Sequence, residues 1–326
     1  MPSVITVEPD EVGLTVLGLL GERYPDVPTS ALKRLVEEGG LELNGHRTGP
    51  GQGLFEGDAL EVEDDGLERV APAPLAGLGF LWEGPGVLAI DKPAGVAVET
   101  ERGQDERPLK AALLHRLRAR LGPDVLLPRP RIVHRLDKDT TGVLLVATSR
   151  AALQELTRQL EAHEMQKEYL ALVLGRVSEE SGVVDLDVVD RHASPSKRAA
   201  TAQPARTRWE VAERFSTHTL VRCWPETGRQ HQIRQHLAAL GHPLAVDADY
   251  GGGKSLLLST LKKRNYRSKG DEEKPLLARL SLHTRRLSFT PPEGGERVTV
   301  ESPVPDDLEV ALKQLRCWDV DRPRRR

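Results

Sequence analysis

The stretch from Val70 to Gly79, VAPAPLAGLG, divides the chain into two parts of different composition. Alanine, proline and glycine here replace the acidic run EVEDDGLE, a change that is typical of a linker. Of the 46 Lys/Arg and 49 Asp/Glu residues in the 326-residue chain, residues 1–75 hold five and fifteen, which leaves 41 and 34 for residues 76–326. The net charge is therefore −10 before the boundary and +7 after it. We predict two domains, residues 1–75 and residues 76–326, and a basic surface on the larger one.

Composition excludes several classes of protein. The chain is 38% apolar and 29% charged, and it has no run of about 18 apolar residues that could form a membrane helix. The first residues, MPSVITVEPDEVG, lack the basic and apolar regions of a secretory signal, so we expect a cytoplasmic protein. Cys223 and Cys317 lie far apart and outside any C-x-x-C spacing, so neither a disulfide framework nor a cysteine zinc site is predicted.

The N-terminal part is predicted to be a small α/β unit. Its segment VPTSALKRLVEEGG predicts a helix from about Thr29 to Glu38 that two glycines end. Asn44 and Gly45 then occupy the turn position of a β-hairpin, and GDALEVE alternates as a short closing strand.

The larger part is predicted to be an α+β domain with a mixed, largely antiparallel sheet flanked by helices. Its elements do not follow a regular β-α-β alternation, which argues against a parallel sheet. One helix follows the N-cap Ser149, and another follows Gly228. The second helix is predicted to bury the stripe Ile233, Leu237 and Leu240. The predicted strands include GVLAIDKPAGVAV, VLLVAT, KEYLALVLGRV, VVDLDVV, TRWEVAE and THTLVRCW.

The segment RIVHRLDKDTTG, residues 131–142, gathers two arginines, a histidine and two aspartates at one turn. An aspartate such as Asp137 can simply cap that turn, and DKDTTG is good turn chemistry. Asp137 and Asp139 cannot both serve the cap, however, and His134 and Arg135 point to opposite faces of the strand. Some of these polar groups are therefore expected to face a site.

Clustered carboxylates and histidines raise three alternatives. A glycosidase-type pair is disfavoured, because residues two apart on one segment do not flank a sugar from opposite sides. A magnesium or calcium site is disfavoured, because the segment lacks the ligand spacing and glycine of a dedicated calcium loop. A zinc pair is disfavoured, because histidines five residues apart do not share a helical face as those four apart do. The residues weighed for these metal sites are Asp137, Asp139, Asp247, Asp249, His231 and His236.

Two further segments place polar side chains beside apolar ones. KEYLALV puts Lys167 and Tyr169 on one strand face, where a tyrosine is often half-buried with its hydroxyl in water. TGRQHQIRQHL puts Arg229 and Arg234 at the start of a helix. An arginine beside an apolar stripe usually extends to the surface, but one that reaches a carboxylate would keep that carboxylate ionised.

Residues 251–275 are interpreted as a basic insertion, in which six basic residues precede the first acidic one and Tyr266 lies among them. The segments HRLRAR and PRPR are also basic. Such surfaces favour contact with anionic groups.

Five motifs in a fixed order closely resemble the RluA family of RNA pseudouridine synthases. They are DKPAG, HRLDKDTTG, KEYLALV, TGRQHQIRQHLAALGHP and RLSLHTRRLSF, and the match spans about residues 80–300. The N-terminal part is similar to the alpha-L RNA-binding domain, through TSALKRLVEEGGLELNG and EGDALEVE.

The resemblance implies isomerisation of uridine to pseudouridine in RNA, with no cofactor and no metal. By position, Asp137 is the catalytic carboxylate, Tyr169 stacks on the flipped uracil and assists proton removal, and Arg234 pairs with Asp137. Arg135 pushes the target nucleotide out and fills the gap. Large-subunit ribosomal RNA is the first expected substrate and transfer RNA the second, and a monomer is expected. The other residues expected to bind RNA are His134, Arg229, Lys262, Lys263 and Arg264.

The chain departs from the family pattern at three points. Thr141 stands where the family usually has serine, which keeps the hydroxyl. Val246 stands where glycine commonly precedes Asp247, so Asp247 is given no role. The acidic N-terminal part is unusual for an RNA-binding domain. Two competing functions are a non-catalytic RNA-binding or ribosome-assembly factor on the same fold, and a nucleosidase or glycosidase that acts on small molecules.

Overall fold

The computed structural model describes residues 2–65, 67, 69–71, 73–98, 107–122, 129–190, 201–262, 266 and 273–319. The chain divides into two compact units, of which the first contains residues 1–76 and 99–131 and the second residues 77–98 and 132–326. The border at residue 76 lies next to the predicted boundary. The sequence prediction places residues 99–131 in the larger domain, whereas the structure assigns them to the first unit.

The described part of that segment is a helix that bonds to the first unit. The Lys110 ammonium donates a hydrogen bond to the Val27 carbonyl at 2.7 Å, and the Ala73 N–H donates one to the Ala111 carbonyl at 3.2 Å. Which unit a helix packs against depends on such long-range contacts, and the local pattern of the helix does not contain them.

The first unit is a small α/β fold. Its antiparallel sheet has the strand order β1-β4-β2-β3. The predicted helix is present as α2, and the predicted hairpin turn is confirmed by Asn44 and Gly45, which have φ angles of 51° and 74°. Helix α1 and strand β1 did not feature in the prediction. The elements are β1 (Ser3–Thr6), α1 (Val16–Arg23), α2 (Thr29–Glu37), β2 (Leu41–Leu43), β3 (His46–Arg47), β4 (Ala59–Val62) and α3 (Arg107–Leu121), with a 3-10 turn at Pro9–Glu11.

The second unit is built on one large mixed sheet, as the sequence predicted. Its described strands follow the order β10-β11-β12-β9-β13-β8-β6-β5, with β14 beside β13 and β7 beside β8. Strand β13 pairs with β8 in parallel, whereas the other neighbours in this order, and β14 with β13, pair antiparallel. The strands are β5 (Gly79–Gly84), β6 (Val87–Lys92), β7 (Arg131–Ile132), β8 (Thr141–Ala147), β9 (Gln166–Leu174), β10 (Ser181–Asp185), β11 (Arg206–Arg214), β12 (His218–Pro225), β13 (Leu282–Phe289) and β14 (Val298–Glu301).

Helices flank this sheet and cover its apolar side chains. Helix α4 begins at the predicted N-cap, where the Ser149 hydroxyl accepts a hydrogen bond from the Ala152 N–H. Its residue Leu156 packs in the same cluster as Leu145 and Phe289, while α7 contributes to a second cluster. None of the described helices is long and apolar enough to cross a membrane. The helices are α4 (Arg150–Glu161), α5 (Gln232–Ala239), α6 (Leu258–Lys262) and α7 (Asp306–Trp318).

Helix α5 differs in one respect from its prediction. Ile233 and Leu237 are buried, but Leu240 is 40% exposed. Leu240 is the C-cap residue, where the helix ends.

Gly142 fixes the path of the chain where the RIVHRLDKDTTG turn enters β8. Its φ angle is 111°, and a Cβ atom there would collide with the carbonyl oxygen of Thr284 on the neighbouring β13. Only glycine adopts this backbone without a steric cost, and only glycine lets the two strands approach this closely. The turn is therefore held at the end of two central strands.

Candidate active site

A cavity of about 330 Å³ opens beside the turn between β7 and β8. The turn contributes Arg135 and Asp137, β9 contributes Tyr169, and the start of α5 contributes Arg229 and Arg234. Together with His134, six of the residues that the sequence predicted for the site thus line one pocket.

Asp137 lies at the mouth of this pocket with its side chain 24% exposed. Its carbonyl oxygen, and not its carboxylate, accepts the hydrogen bond from the Thr140 N–H at 3.0 Å that closes the turn. One carboxylate oxygen lies 3.2 Å from Nη1 of Arg234, and the other lies 3.7 Å from Nε2 of His231. The backbone therefore closes the turn, and the carboxylate is directed to the pocket.

Arg234 joins three carboxylates from a side chain that is 5% exposed. Its Nε and Nη2 donate to the two oxygens of Asp247 at 2.7 and 2.8 Å, and Nη2 also donates to Asp249 at 3.0 Å. Burial alone would lower the pKa of Arg234, but the bonds to Asp247 and the attraction of Asp137 raise it above its ordinary value. The pocket therefore keeps a permanent positive charge beside Asp137.

Sequence reasoning gave Asp247 no role, yet its side chain is fully buried and holds Arg234 in a two-point ion pair. The sequence did contain a sign of this ion pair. The segment DADY, residues 247–250, places two acidic residues shortly after a helix whose arginine is buried. A buried charge requires a partner, so such acids are candidates for that partner.

His231 and Tyr250 complete the ion-pair cluster. The Tyr250 hydroxyl lies 3.0 Å from Nδ1 of His231, and the Arg234 guanidinium lies 4.8 Å from the Tyr250 ring centroid. His231 adopts a φ of 55° immediately before α5, a left-handed conformation that is uncommon for residues other than glycine. Burial lowers the pKa of His231, against the attraction of Asp137.

Lys92, in the DKPAG motif, supports the other side of the turn. Its side chain is completely buried, and its ammonium donates to the carbonyls of Pro93, Val96 and Lys138 at 2.9, 3.0 and 2.9 Å. Lys138 directly follows Asp137, so this bond fixes the backbone that carries the carboxylate. Burial lowers the pKa of Lys92 to about 7, against the attraction of Asp139 and Asp137.

Tyr169 forms a wall of the pocket. The sequence left open a half-buried tyrosine with its hydroxyl in water, but the residue is only 7% exposed. Burial, with an added contribution from the charge of Asp137, raises the pKa of Tyr169 to about 12. The phenol therefore keeps its proton at neutral pH.

The residues predicted to bind RNA occupy different environments. Arg135 and Arg229 are exposed at the pocket, and Nε of Arg229 donates to the Pro204 carbonyl at 3.3 Å. His134 is buried, and its Nε2 accepts a hydrogen bond from the Leu145 N–H at 3.1 Å. Burial, assisted by the charge of Lys167, lowers the pKa of His134 to about 3, so its ring is neutral.

The basic insertion is partly a folded element. Lys262 ends α6, and its ammonium lies 4.6 Å from the Trp318 ring centroid. Leu256 and Leu261 are buried in the cluster that α7 completes. Lys263 and Arg264 lie outside the described residues.

Taken together, the fold and the pocket define an enzyme site in which one carboxylate, held beside a permanent cation, faces a space walled by an aromatic ring. The family model described as RNA pseudouridylate synthase matches residues 86–239. This chain belongs to the RNA pseudouridine synthases, enzymes that isomerise uridine in RNA, and its predicted place in that family is confirmed.

The relatives cover nearly the whole chain. The ribosomal large subunit pseudouridine synthase D of Nitrosomonas europaea is 35% identical over 96% of this chain and 87% of its own length. The ribosomal large subunit pseudouridine synthase C of Escherichia coli K12 is 34% identical over 96% of both chains. The solved structure of human RNA Pseudouridylate Synthase Domain Containing 4 shares the fold, with a TM-score of 0.59 and 24% identity over 73% of this chain and 93% of that one.

Proposed function

We propose that this protein converts uridine to pseudouridine in large-subunit ribosomal RNA, with Asp137 as the catalytic carboxylate. The observation that carries this proposal is the contact of Asp137 with Arg234 at the mouth of the pocket. The printed names of its relatives support ribosomal RNA as the substrate. Transfer RNA is the second candidate substrate, and we propose that the enzyme acts as a monomer in the cytoplasm.

The reaction rearranges one nucleotide without adding or removing atoms overall. The bond between N1 of uracil and C1′ of ribose breaks, the base turns, and C5 bonds to C1′. The proton on C5 is then removed, and N1 gains a proton. Asp137 either attacks C1′ as a nucleophile or removes a proton from C2′, and both routes require an ionised carboxylate. Arg234 places a positive charge 3.2 Å from that carboxylate, where it can stabilise the charge that the reaction requires.

Base flipping gives the neighbouring residues their proposed roles. A uridine stacked in RNA hides its glycosidic bond, so the enzyme must extrude the nucleotide at a cost of a few kcal/mol. The Tyr169 ring offers a stacking surface for the extruded uracil, and its pKa of about 12 favours this role over proton removal. The exposed Arg135 would fill the gap in the RNA, and the exposed Arg229 would contact the RNA at the rim. The buried His134 would instead support the pocket through its hydrogen bond with the Leu145 N–H.

The test uses ribosomal RNA and, separately, transfer RNA, each labelled with tritium at C5 of uridine and made from cells that lack this gene. We expect the wild type to release tritium and Asp137→Asn to release none above background. Because Arg234 keeps Asp247 and Asp249 as partners, the variant should lose no more than roughly 1 kcal/mol of unfolding free energy. Equal release by both proteins would contradict the role of Asp137, and release from transfer RNA alone would change the substrate.

A further inference from the structure

A second cavity, of about 560 Å³, lies next to the pocket that contains Asp137. The two cavities share Lys167, Pro225 and Thr227 in their walls. The second cavity extends from there along β11 and β12, where Arg208 and Trp224 line it. A ligand in the first pocket could therefore continue into the second without leaving the protein surface.

Lys167 stands between the two cavities and lines both of them. Its side chain is partly buried, and among the described residues it makes neither a hydrogen bond nor an ion pair. Burial lowers the pKa of its ammonium. A partly buried cation without a counter-charge is unfavourable, and an anionic group placed in either cavity would satisfy it.

Arg208 and Trp224 form a stacked pair on the far side of the second cavity. They are directly opposite one another on β11 and β12, and the guanidinium carbon lies 3.9 Å from the Trp224 ring centroid. Arg208 is exposed, whereas the neighbouring Arg206 is paired with Glu226 at 3.4 Å. Guanidinium planes and aromatic rings are the surfaces on which unpaired RNA bases stack.

We propose that this second cavity binds a nucleotide that flanks the target uridine. The Lys167 ammonium takes a phosphate of that nucleotide, and the Arg208–Trp224 pair takes its base. Lys167 and Tyr169 are two positions apart on β9, a separation of about 7 Å, so the phosphate would lie next to the extruded uridine. When a uridine leaves the RNA stack, its neighbour loses a stacking surface, and this pair would replace it.

The inference rests on the proposed function, because it places an RNA strand across the active pocket. Binding and catalysis are therefore measured separately. Large-subunit ribosomal RNA fragments transcribed in vitro serve as the probe, and their dissociation constants are determined between 50 and 200 mM salt. The variants are Lys167→Met, Lys167→Arg and Trp224→Ala. The matched control is Arg316→Ala, which removes an exposed arginine that is paired with Glu213 elsewhere in the unit.

We expect Trp224→Ala to weaken RNA binding by about 10-fold, because base stacking on aromatic rings contributes 1–3 kcal/mol. Lys167→Met should lower the salt slope of binding by about one, since one phosphate contact is lost, whereas Lys167→Arg should keep that slope. The control should bind as the wild type does. In tritium release, Trp224→Ala should raise KM and leave kcat within a few-fold of the wild type.

The outcomes separate this inference from the proposed function. Wild-type affinity and salt slope in both Lys167→Met and Trp224→Ala would overturn the inference, even if tritium release continued. A wild type that released no tritium would overturn the proposed function, while the affinities would still decide whether RNA occupies the second cavity. Thermal unfolding of each variant excludes misfolding, and Lys167→Arg provides the folded comparison if Lys167→Met is unstable.

Discussion

Two buried cations support the Asp137 turn from different sides, and they do so by different physical means. Arg234 bonds to carboxylates, whose charges raise its pKa above the ordinary value. Lys92 bonds only to backbone carbonyls, and burial lowers its pKa to about 7. Arg234 thus sets the charge of the pocket, whereas Lys92 sets the position of the backbone that carries Asp137.

The comparison predicts unequal costs of removal. Without Arg234, the completely buried carboxylate of Asp247 has lost its charged partner. Without Lys92, three carbonyl dipoles have lost a donor, but no charge is left buried. Breaking a buried ion pair costs more than breaking neutral hydrogen bonds.

The largest effect is expected for Arg234→Met. The variant should lose about 3–5 kcal/mol of unfolding free energy, because Asp247 becomes an unpaired buried charge. It should also lose tritium release, because Asp137 loses its cation. Denaturant unfolding measures the first effect. The double variant Arg234→Met/Asp247→Asn removes the orphaned charge and should regain part of the stability but none of the activity. If the double variant is no more stable than the single one, the charge of Asp247 is not the cause.

A smaller effect is expected for Lys92→Met. This variant should lose about 2–3 kcal/mol of unfolding free energy, because the carbonyls of Pro93, Val96 and Lys138 lose their hydrogen-bond donor. Activity should fall as the turn loses its backbone support. Denaturant unfolding and tritium release measure the two effects. A fully stable and active variant would show that the turn holds its own position.

Lys92 should also make stability depend on pH. The lysine in the unfolded chain keeps its proton up to about pH 10.5, while the folded protein releases it near pH 7. The unfolded state therefore binds more protons in this window, so this group's contribution to stability rises with pH from about 7 to 10.5 and is constant outside it. The stability of the wild type relative to Lys92→Met, measured from pH 6 to pH 9, should rise accordingly. A difference that does not change with pH would contradict the lowered pKa.

The smallest effect is expected for Tyr169→Phe, which keeps the ring and removes a hydroxyl that neither cation contacts. If the ring only stacks on uracil, kcat/KM for tritium release should stay within about 10-fold of the wild type, and Tyr169→Leu should lose more. General acid–base catalysis contributes about 100-fold or more. A loss of that size in Tyr169→Phe would therefore show that the hydroxyl moves a proton.

Local patterns predicted the elements that local physics forms. The Ser149 cap, the Asn44–Gly45 turn and helix α2 each depend on residues only a few positions away in the sequence. Position within the family motifs placed Asp137 and Arg234 at the site, and the structure brings both to one pocket. Their catalytic roles stay predictions.

Long-range relations were missed, because nothing in a short window encodes them. The predicted boundary did not anticipate that helix α3 bonds to Val27 and Ala73, because these contacts join residues far apart in the sequence. Asp247 received no role because Val246 precedes it where the family commonly has glycine, and its ion pair with Arg234 joins two different segments of the chain. Lys92 was quoted only as part of a motif, although its position at the end of an apolar strand was a sign that its ammonium needs acceptors.

By itself, the sequence determined the acidic and basic parts of the chain, most of its described strands, helices α2, α4 and α5, and the motifs of an RNA pseudouridine synthase. Only the tertiary structure decided which charges meet. Asp137 and Arg234 are 97 positions apart, and Lys92 and the Lys138 carbonyl are 46 apart. The fold decides whether a buried cation meets a carboxylate, meets backbone carbonyls or is left to bind a ligand. The reason is that the free energy of burying a charge depends on the groups packed around it and not on the residue alone.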